Sequence, residues 1–371
     1  MRLFLLSGER SGDRHGAGLM EELRAKEPDI IFHGLGGVEM HALCPDIPDW
    51  VEEAGVVGLV EVLKKYAWFR RKFAETLQQI GELQPDAVIL IDYPGFNLRL
   101  AKALRQRGYA GKIIYYISPQ VWAWHRGRIP GMGKLLDLMI CIFPFEKDLY
   151  EGCGLRTVFG GHPLVEYHRR RRHNITREPG LIGFFPGSRH REIAKHFPPL
   201  LDAAQRMKVE RPALKFVASA ASEKLAATMR AMLAANPVAG LTIETGTAHT
   251  LMQRVACGAV ASGTATLEAA ILELPYCLIY KVSPGTYLAG RMLIRVPFLG
   301  IINILAGREV VKELLQRHCT GRRIAAELLR LSDDSTARTA LSGELRTIVE
   351  KLAGDDAYGR AAVAILSTLA G

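Results

Sequence analysis

Val255 to Tyr280 constrains the fold more than any other stretch. Val255-Ala-Cys-Gly-Ala-Val-Ala261 is a run of small apolar residues of strand type, and Ser262-Gly263 ends it. Thr264 and Thr266 open a helix whose apolar face carries Leu267, Ile271 and Leu272; Tyr276 to Tyr280, after Pro275, reads as the next strand. Strand, tight turn, helix and strand in this order make an α/β crossover unit. Such a turn aims unpaired backbone N–H groups and the positive end of a helix dipole at one point. Ser262, Gly263, Thr264 and Thr266 stand there, a set that suits anionic oxygens such as those of a phosphate. Glu268, one turn further in, cannot favour a phosphate. It can accept hydrogen bonds from a ribose diol, so a nucleotide suits the turn better than free phosphate. Without a ligand, the same stretch reads as a strand-to-helix connection capped by threonine.

The alternation recurs along the chain. Arg2 to Leu6 is a buried-type strand, followed by the glycine-rich loop Ser7-Gly-Glu-Arg-Ser-Gly-Asp-Arg-His-Gly16 and a helix from Ala17 to Lys26. The loop is neither a Walker A motif nor GxGxxG, yet it follows the first strand of an α/β unit, where ligands bind. Glu9 and Asp13 add carboxylates to it. Ala87 to Ile91 is a strand ending at Asp92, and a carboxylate at the carboxyl end of a buried parallel strand stands where α/β enzymes keep their chemistry. The strand Lys112 to Ile117 runs into Ser118-Pro-Gln-Val-Trp-Ala-Trp124. A second α/β half opens with Leu181 to Phe185 and the turn Pro186-Gly-Ser-Arg-His190, where the fork of Arg189 suits a pyrophosphate. Residues 167–180, with Arg169 to Arg172, read as a linker between the halves.

A chain of 371 residues has room for two domains and a large core. Its net charge of +10 favours an acidic partner. Basic repeats interleaved with aromatics are missing, so nucleic acid is not expected. The six cysteines form no CxxC pair and read as reduced core residues of a cytoplasmic protein. No apolar run approaches the ~18 residues of a spanning helix. Val56, Val57, Leu59, Val60, Leu63, Trp68 and Phe69 are too many for one buried stripe, and Lys64, Lys65 and Arg70 to Lys72 surround them. A basic amphipathic segment of this kind can lie on an anionic bilayer or hold acyl chains; its plainer reading is a core helix with a solvated basic face. Neither HExxH nor GxSxG occurs.

Ser7-Gly-Glu-Arg-Ser-Gly-Asp13 resembles the opening loop of the lipid-A-disaccharide synthase family. So do Gly58-Leu-Val-Glu-Val-Leu63, Ile91-Asp-Tyr-Pro-Gly-Phe-Asn97, Ser118-Pro-Gln-Val-Trp-Ala-Trp124 and Phe143-Pro-Phe-Glu-Lys147. Pro186-Gly-Ser-Arg189, Ser262-Gly-Thr-Ala-Thr-Leu-Glu268 and Ala306-Gly-Arg-Glu-Val-Val-Lys-Glu-Leu-Leu-Gln316 continue the family's order. The resemblance implies a GT-B glycosyltransferase: α/β, with two Rossmann-like domains facing a cleft. It implies an acceptor and lipid domain over 1–166, a UDP-sugar domain over 181–335 and a helical tail over 336–371 that can cross back to the first half. The implied reaction joins UDP-2,3-diacylglucosamine to 2,3-diacylglucosamine 1-phosphate, inverting the donor's anomeric centre. The products are the β-1,6-linked lipid A disaccharide 1-phosphate and UDP. No metal or organic cofactor is expected, and the protein would lie on the anionic surface of the inner membrane from the cytoplasmic side.

On this reading Asp92 is the candidate base, with Asp13 and Glu9 as alternatives. Ser188, Arg189 and the helix mouth at Ser262 to Thr266 would stabilise the leaving UDP, and Glu268 would hold the ribose. Asn303, Arg308 and Glu309 would line the donor side. Ser118, Gln120 and Trp122 would contact substrate. The family's second aspartate in Asp-x-Pro-Asp-Phe-Asn is Gly95 here, and Glu166 stands where aspartate is common after Gly-His-Pro. The rival readings are another GT-B enzyme, such as a UDP-sugar 2-epimerase, and a non-catalytic module that binds nucleotide or lipid.

Overall fold

The computed structural model describes the whole chain except residues 55–65, 125, 171–174, 284, 286, 288–295 and 355. It divides into two compact units, Met1–Glu166 with Leu352–Gly371, and Tyr167–Lys351.

The first unit is built on six strands: β1 (Arg2–Ser7), β2 (Ile31–Leu35), β3 (Ala87–Ile91), β4 (Lys112–Tyr116), β5 (Leu138–Cys141) and β6 (Thr157–Phe159). They lie in the order β2-β1-β3-β4-β5-β6, every neighbouring pair parallel. All five residues of β3 are fully buried, which is why this strand reads as an unbroken apolar run rather than an alternating one. The chain steps from β1 out to β2, then returns to place β3 on the other side of β1. Such a reversal leaves a crevice at the carboxyl ends of the two strands. Ser7 and Ile91 are register partners there, so the loop after β1 and the turn after β3 leave the sheet side by side.

Helices cover this sheet: α1 (Arg10–Lys26), the short α2 (Val38–Leu43), α3 (Tyr66–Leu83), α4 (Pro94–Gln106) and α5 (Pro144–Glu151). The C-terminal helix Ala357–Ala370 belongs to the same unit. Tyr358 Oη lies 3.0 Å from His15 Nδ1 on α1, and the Tyr358 backbone N–H donates to Glu166 Oε2. Close packing requires Gly18 on α1, because a Cβ there would sit 2.7 Å from the Tyr358 ring.

The second unit repeats the plan with β7 (Glu178–Phe185), β8 (Lys215–Ala220), β9 (Leu241–Thr245), β10 (Val255–Ala261), β11 (Tyr276–Tyr280) and β12 (Glu313–Leu315). The order is β12-β11-β10-β7-β8-β9, again parallel. Here the reversal falls between β7 and β10, where Phe185 and Val260 are register partners. Its helices include α6 (His190–Glu210), α7 (Thr264–Ile271) and α8 (Ile301–Ala306).

Much of the stretch expected as a linker is regular structure. A helix covers Pro163–Arg170 and β7 begins at Glu178. Just before β7, the Arg177 guanidinium donates to the carbonyls of Met252, Val255 and Leu272 at 2.6–2.8 Å. A cation that looks solvated in the sequence is thus tied down by distant backbone acceptors. The helix Ser335–Glu350 belongs to the second unit, and only Leu352–Gly371 joins the first. None of the six cysteines is paired, and no helix among the described residues is long and apolar enough to cross a membrane.

Candidate active site

Asp92 leaves β3 at the first unit's reversal point. Asp92 and Tyr93 both have positive φ, +46° and +50°, a conformation that non-glycine residues keep only when their surroundings over-determine it. Three bonds do so. The Asp92 N–H donates to the Tyr116 carbonyl at 3.0 Å. The Asp92 carbonyl accepts from Tyr115 Oη at 2.5 Å and from Asn97 Nδ2 at 2.7 Å. Gly8 closes the turn from the β1 side, since a Cβ there would lie 2.4 Å from the Tyr93 ring. Burial pushes the Asp92 carboxyl up to about 6; the charge of nearby Glu9 adds to the rise and the Tyr93 backbone N–H works against it. Such a group is largely ionised at neutral pH yet more basic than a solvated aspartate, which suits a general base.

Asp13, an alternative base on sequence grounds, has a structural task. Its buried carboxylate accepts from the backbone N–H groups of Gly37 (2.7 Å), Glu39 (2.9 Å) and Met40 (3.1 Å). It therefore caps the N-terminus of α2 from a distant part of the chain, satisfying donors that the helix cannot pair itself.

Ser118 and Trp122 were expected to touch substrate, and the fold turns them inward. Both are buried. Ser118 Oγ donates to Glu146 Oε2 at 2.5 Å and Trp122 Nε1 to Glu146 Oε1 at 2.8 Å. Glu146 is fully buried and also accepts from the N–H groups of Ile142 and Phe143. Burial pushes its carboxyl up to about 7 against the pull of these four bonds. Gln120, between the two inward residues, is exposed.

In the second unit, the two anion-binding candidates flank the β7/β10 reversal. After β7, Ser188 and Arg189 are exposed. Their backbone N–H groups donate to Glu192 Oε2, and Arg189 Nη1 donates to Glu192 Oε1 at 3.0 Å. His196 Nδ1 lies 2.8 Å from the Pro186 carbonyl, and His196 Nε2 accepts from the Lys281 N–H at 2.9 Å. These two bonds assign the ring proton to Nδ1 and hold the Pro186 turn on α6. After β10, Gly263 and Thr264 are exposed and Ser262 half-buried. Thr266 is buried, its hydroxyl donating to the Gly263 carbonyl at 2.8 Å. It shapes the mouth of α7 rather than offering a donor there. Glu268 Oε1 lies 3.5 Å from Nε2 of buried His168.

The remaining donor-side candidates are engaged by the fold. Asn303, on α8, is buried and makes four hydrogen bonds, to the Val311 carbonyl, Glu313 Oε1 and the N–H groups of Val310 and Val311. Through these bonds it shapes the turn before β12. Exposed Arg308 pairs with Glu344, and Glu309 with Lys312. Of the acyl-surface residues, Val56, Val57, Leu59, Val60 and Leu63 lie outside the described residues. Trp68 and Phe69 are half-buried, Trp68 stacking on Trp50 at 5.9 Å and meeting the Phe69 ring edge-on at 4.8 Å.

Residues 3–361 match the family described as lipid-A-disaccharide synthetase. The lipid-A-disaccharide synthase of Geobacter sulfurreducens is 40% identical over 381 residues, covering 99% of this chain and 97% of that one. The chain belongs to the lipid-A-disaccharide synthase family. It is an enzyme, a glycosyltransferase. Among solved structures, S. aureus MnaA in complex with UDP has a TM-score of 0.65 at 13% identity, covering 98% of this chain and 94% of that one. MurG of Acinetobacter baumannii has a TM-score of 0.58 at 12% identity, covering 99% of each. At those identities the likeness is one of fold alone, two Rossmann-like domains of the GT-B type. In this family member Glu146, His196 and His168 were missed by sequence reasoning. Glu146 lay inside a motif already quoted, Phe143-Pro-Phe-Glu-Lys147, but its partners lie 24 and 28 residues away.

Proposed function

We propose that the chain transfers 2,3-diacylglucosamine from UDP-2,3-diacylglucosamine to 2,3-diacylglucosamine 1-phosphate. Asp92 takes the proton of the acceptor's 6-hydroxyl as its oxygen attacks the donor's anomeric carbon. The bond from that carbon to the diphosphate oxygen breaks on the opposite face, and UDP leaves with the electron pair. The configuration inverts because a single displacement occurs. Arg189, Ser188 and the mouth of α7 at Ser262 to Thr264 stabilise the charge on the departing diphosphate, and Glu268 receives the ribose hydroxyls. Glu9 stays near Asp92 and keeps it basic. The net charge of +10 and the segment 56–69 favour an anionic membrane surface that carries both lipid substrates.

The observation that supports this reading most directly is Asp92 itself, a carboxylate raised to about 6 at the sheet reversal where such folds bind ligands. The test is UDP release from the purified protein given both lipid substrates in detergent. Asp92→Asn should slow release by roughly 100-fold or more, the scale of a lost general base, while UDP still binds. Release should persist in a chelator. An epimerised sugar nucleotide formed from the donor alone would replace this reading with an isomerase.

A further inference from the structure

One helix holds the loop after β4 at three points. On α5, Glu146 binds Ser118 Oγ and Trp122 Nε1. One turn on, Tyr150 Oη donates to the Pro119 carbonyl at 2.9 Å. The loop starts under strain: Ile117 has a φ of +65°, where a β-branched residue is a genuine outlier. It also leaves the sheet beside the candidate base, because Tyr116 and Ile91 are register partners and the Asp92 N–H bonds the Tyr116 carbonyl.

Helix capping alone does not explain Glu146. A glutamate three residues into a helix satisfies the cap with one oxygen, and here that bond is the one from the Phe143 N–H at 3.0 Å. The other oxygen binds Trp122, and the whole side chain is out of water with four neutral donors as its partners. Burying a carboxylate in this way is strongly unfavourable unless its bonds are complete.

We infer that Glu146 is a positioning residue for the transfer reaction: it clasps Ser118 and Trp122 together, fixing the strained loop so that exposed Gln120 meets the acceptor beside Asp92. Glu146 touches neither substrate and acts through the loop. The inference rests on the transfer reaction proposed above.

Glutamine is not a harmless replacement at this position. With its oxygen toward Trp122, its amide NH2 faces the N–H groups of Ile142 and Phe143. Turned over, the NH2 faces the indole N–H, which can only donate. The first orientation opposes two donors and the second opposes one, and either loosens the clasp.

The test compares Glu146→Gln and Ser118→Ala with the wild type in steady-state kinetics, varying each substrate in turn, alongside thermal melts. Glu146→Gln should raise the acceptor KM and lower kcat, together roughly tenfold or more, as expected when a reacting group is misplaced. The donor KM and UDP binding should stay put. Ser118→Ala, which keeps the packing, should shift the same constants in the same direction by less. Acceptor and donor constants that both stay at wild-type values in Ser118→Ala, or that fall together with the folded fraction in both variants, would make Glu146 a stability residue only. A wild type that releases no UDP from the substrate pair would instead end the functional reading itself. A wild type that does release it, with the variants unchanged, ends only this inference.

Discussion

Asp92→Asn should make the protein more stable at neutral and alkaline pH while slowing turnover by roughly 100-fold or more. Asp92 has a carboxyl held near 6, against an ordinary aspartate value of 3.8. Between those values the folded chain binds the proton more tightly than the unfolded chain. Stability from this group therefore falls as pH rises from about 4 to about 6, and the penalty is complete above that. At about 1.4 kcal/mol per tenfold change in proton affinity, the ceiling is about 3 kcal/mol. Asp92 is only half-buried at its surface, so solvent screening should reduce this to about 1–2 kcal/mol. Asparagine mimics the protonated acid and tolerates a positive φ, so the backbone at +46° adds no new strain. The assay is thermal or urea unfolding of both proteins from pH 4 to pH 8, followed by a signal from the first unit. The variant should match the wild type near pH 4 and exceed it above pH 6, by roughly 2–8 °C in Tm for a unit of this size. In the wild type, kcat/KM should rise with pH through about 6 as the base ionises. A variant equally or less stable at pH 8 would refute the idea that Asp92 is held in an unfavourable charged state.

Arg189→Ala should raise the donor KM and lower kcat by roughly tenfold or more through loss of a charge-assisted contact. Melting should barely change, because the exposed pair with Glu192 contributes about 0–1 kcal/mol; unchanged donor kinetics would move the diphosphate grip to another cation. Gly95→Asp meets open space, with no atom within 4 Å of the new Cβ, and an acid in the first turn of α4 should stabilise the unit by about 0.5–1 kcal/mol. The added carboxylate should also shift the acid limb of the pH–rate profile upward, and a limb that does not move would place residue 95 beyond reach of Asp92. Asp13→Ala should destabilise the first unit by about 3 kcal/mol through loss of the α2 cap, with near-normal kinetics in the protein that remains folded. Lost turnover with an unchanged melt would return Asp13 to the list of bases.

The sheets were legible in the sequence because strands covered on both faces cannot hide their apolar runs. Ala87 to Ile91 and Val255 to Ala261 needed no tertiary information. The loops at their carboxyl ends were legible for the same reason, since the strand fixes where the turn begins. The direction in which a polar side chain faces was not legible. Asp13, Ser118, Trp122 and Asn303 have the chemistry of ligand contacts, and each is used by the protein's own backbone or by a buried carboxylate. A buried polar group must find a partner, and the sequence displays one half of the bond without the other: the donor to Asp13 lies 24 residues away and the acceptor for Ser118 lies 28. The same motif residue therefore reads alike whether it grips a substrate or braces the loop that does. With these braces assigned, the set we propose for the chemistry is Asp92 and Glu9 at one reversal, Ser188, Arg189, Ser262, Gly263, Thr264 and Glu268 at the other, and Gln120 on the clasped loop. On the inference above, Ser118 and Trp122 act on the reaction through Gln120, so their substitution should move the acceptor constants, that of Arg189 the donor constants, and that of Asp13 the melt alone.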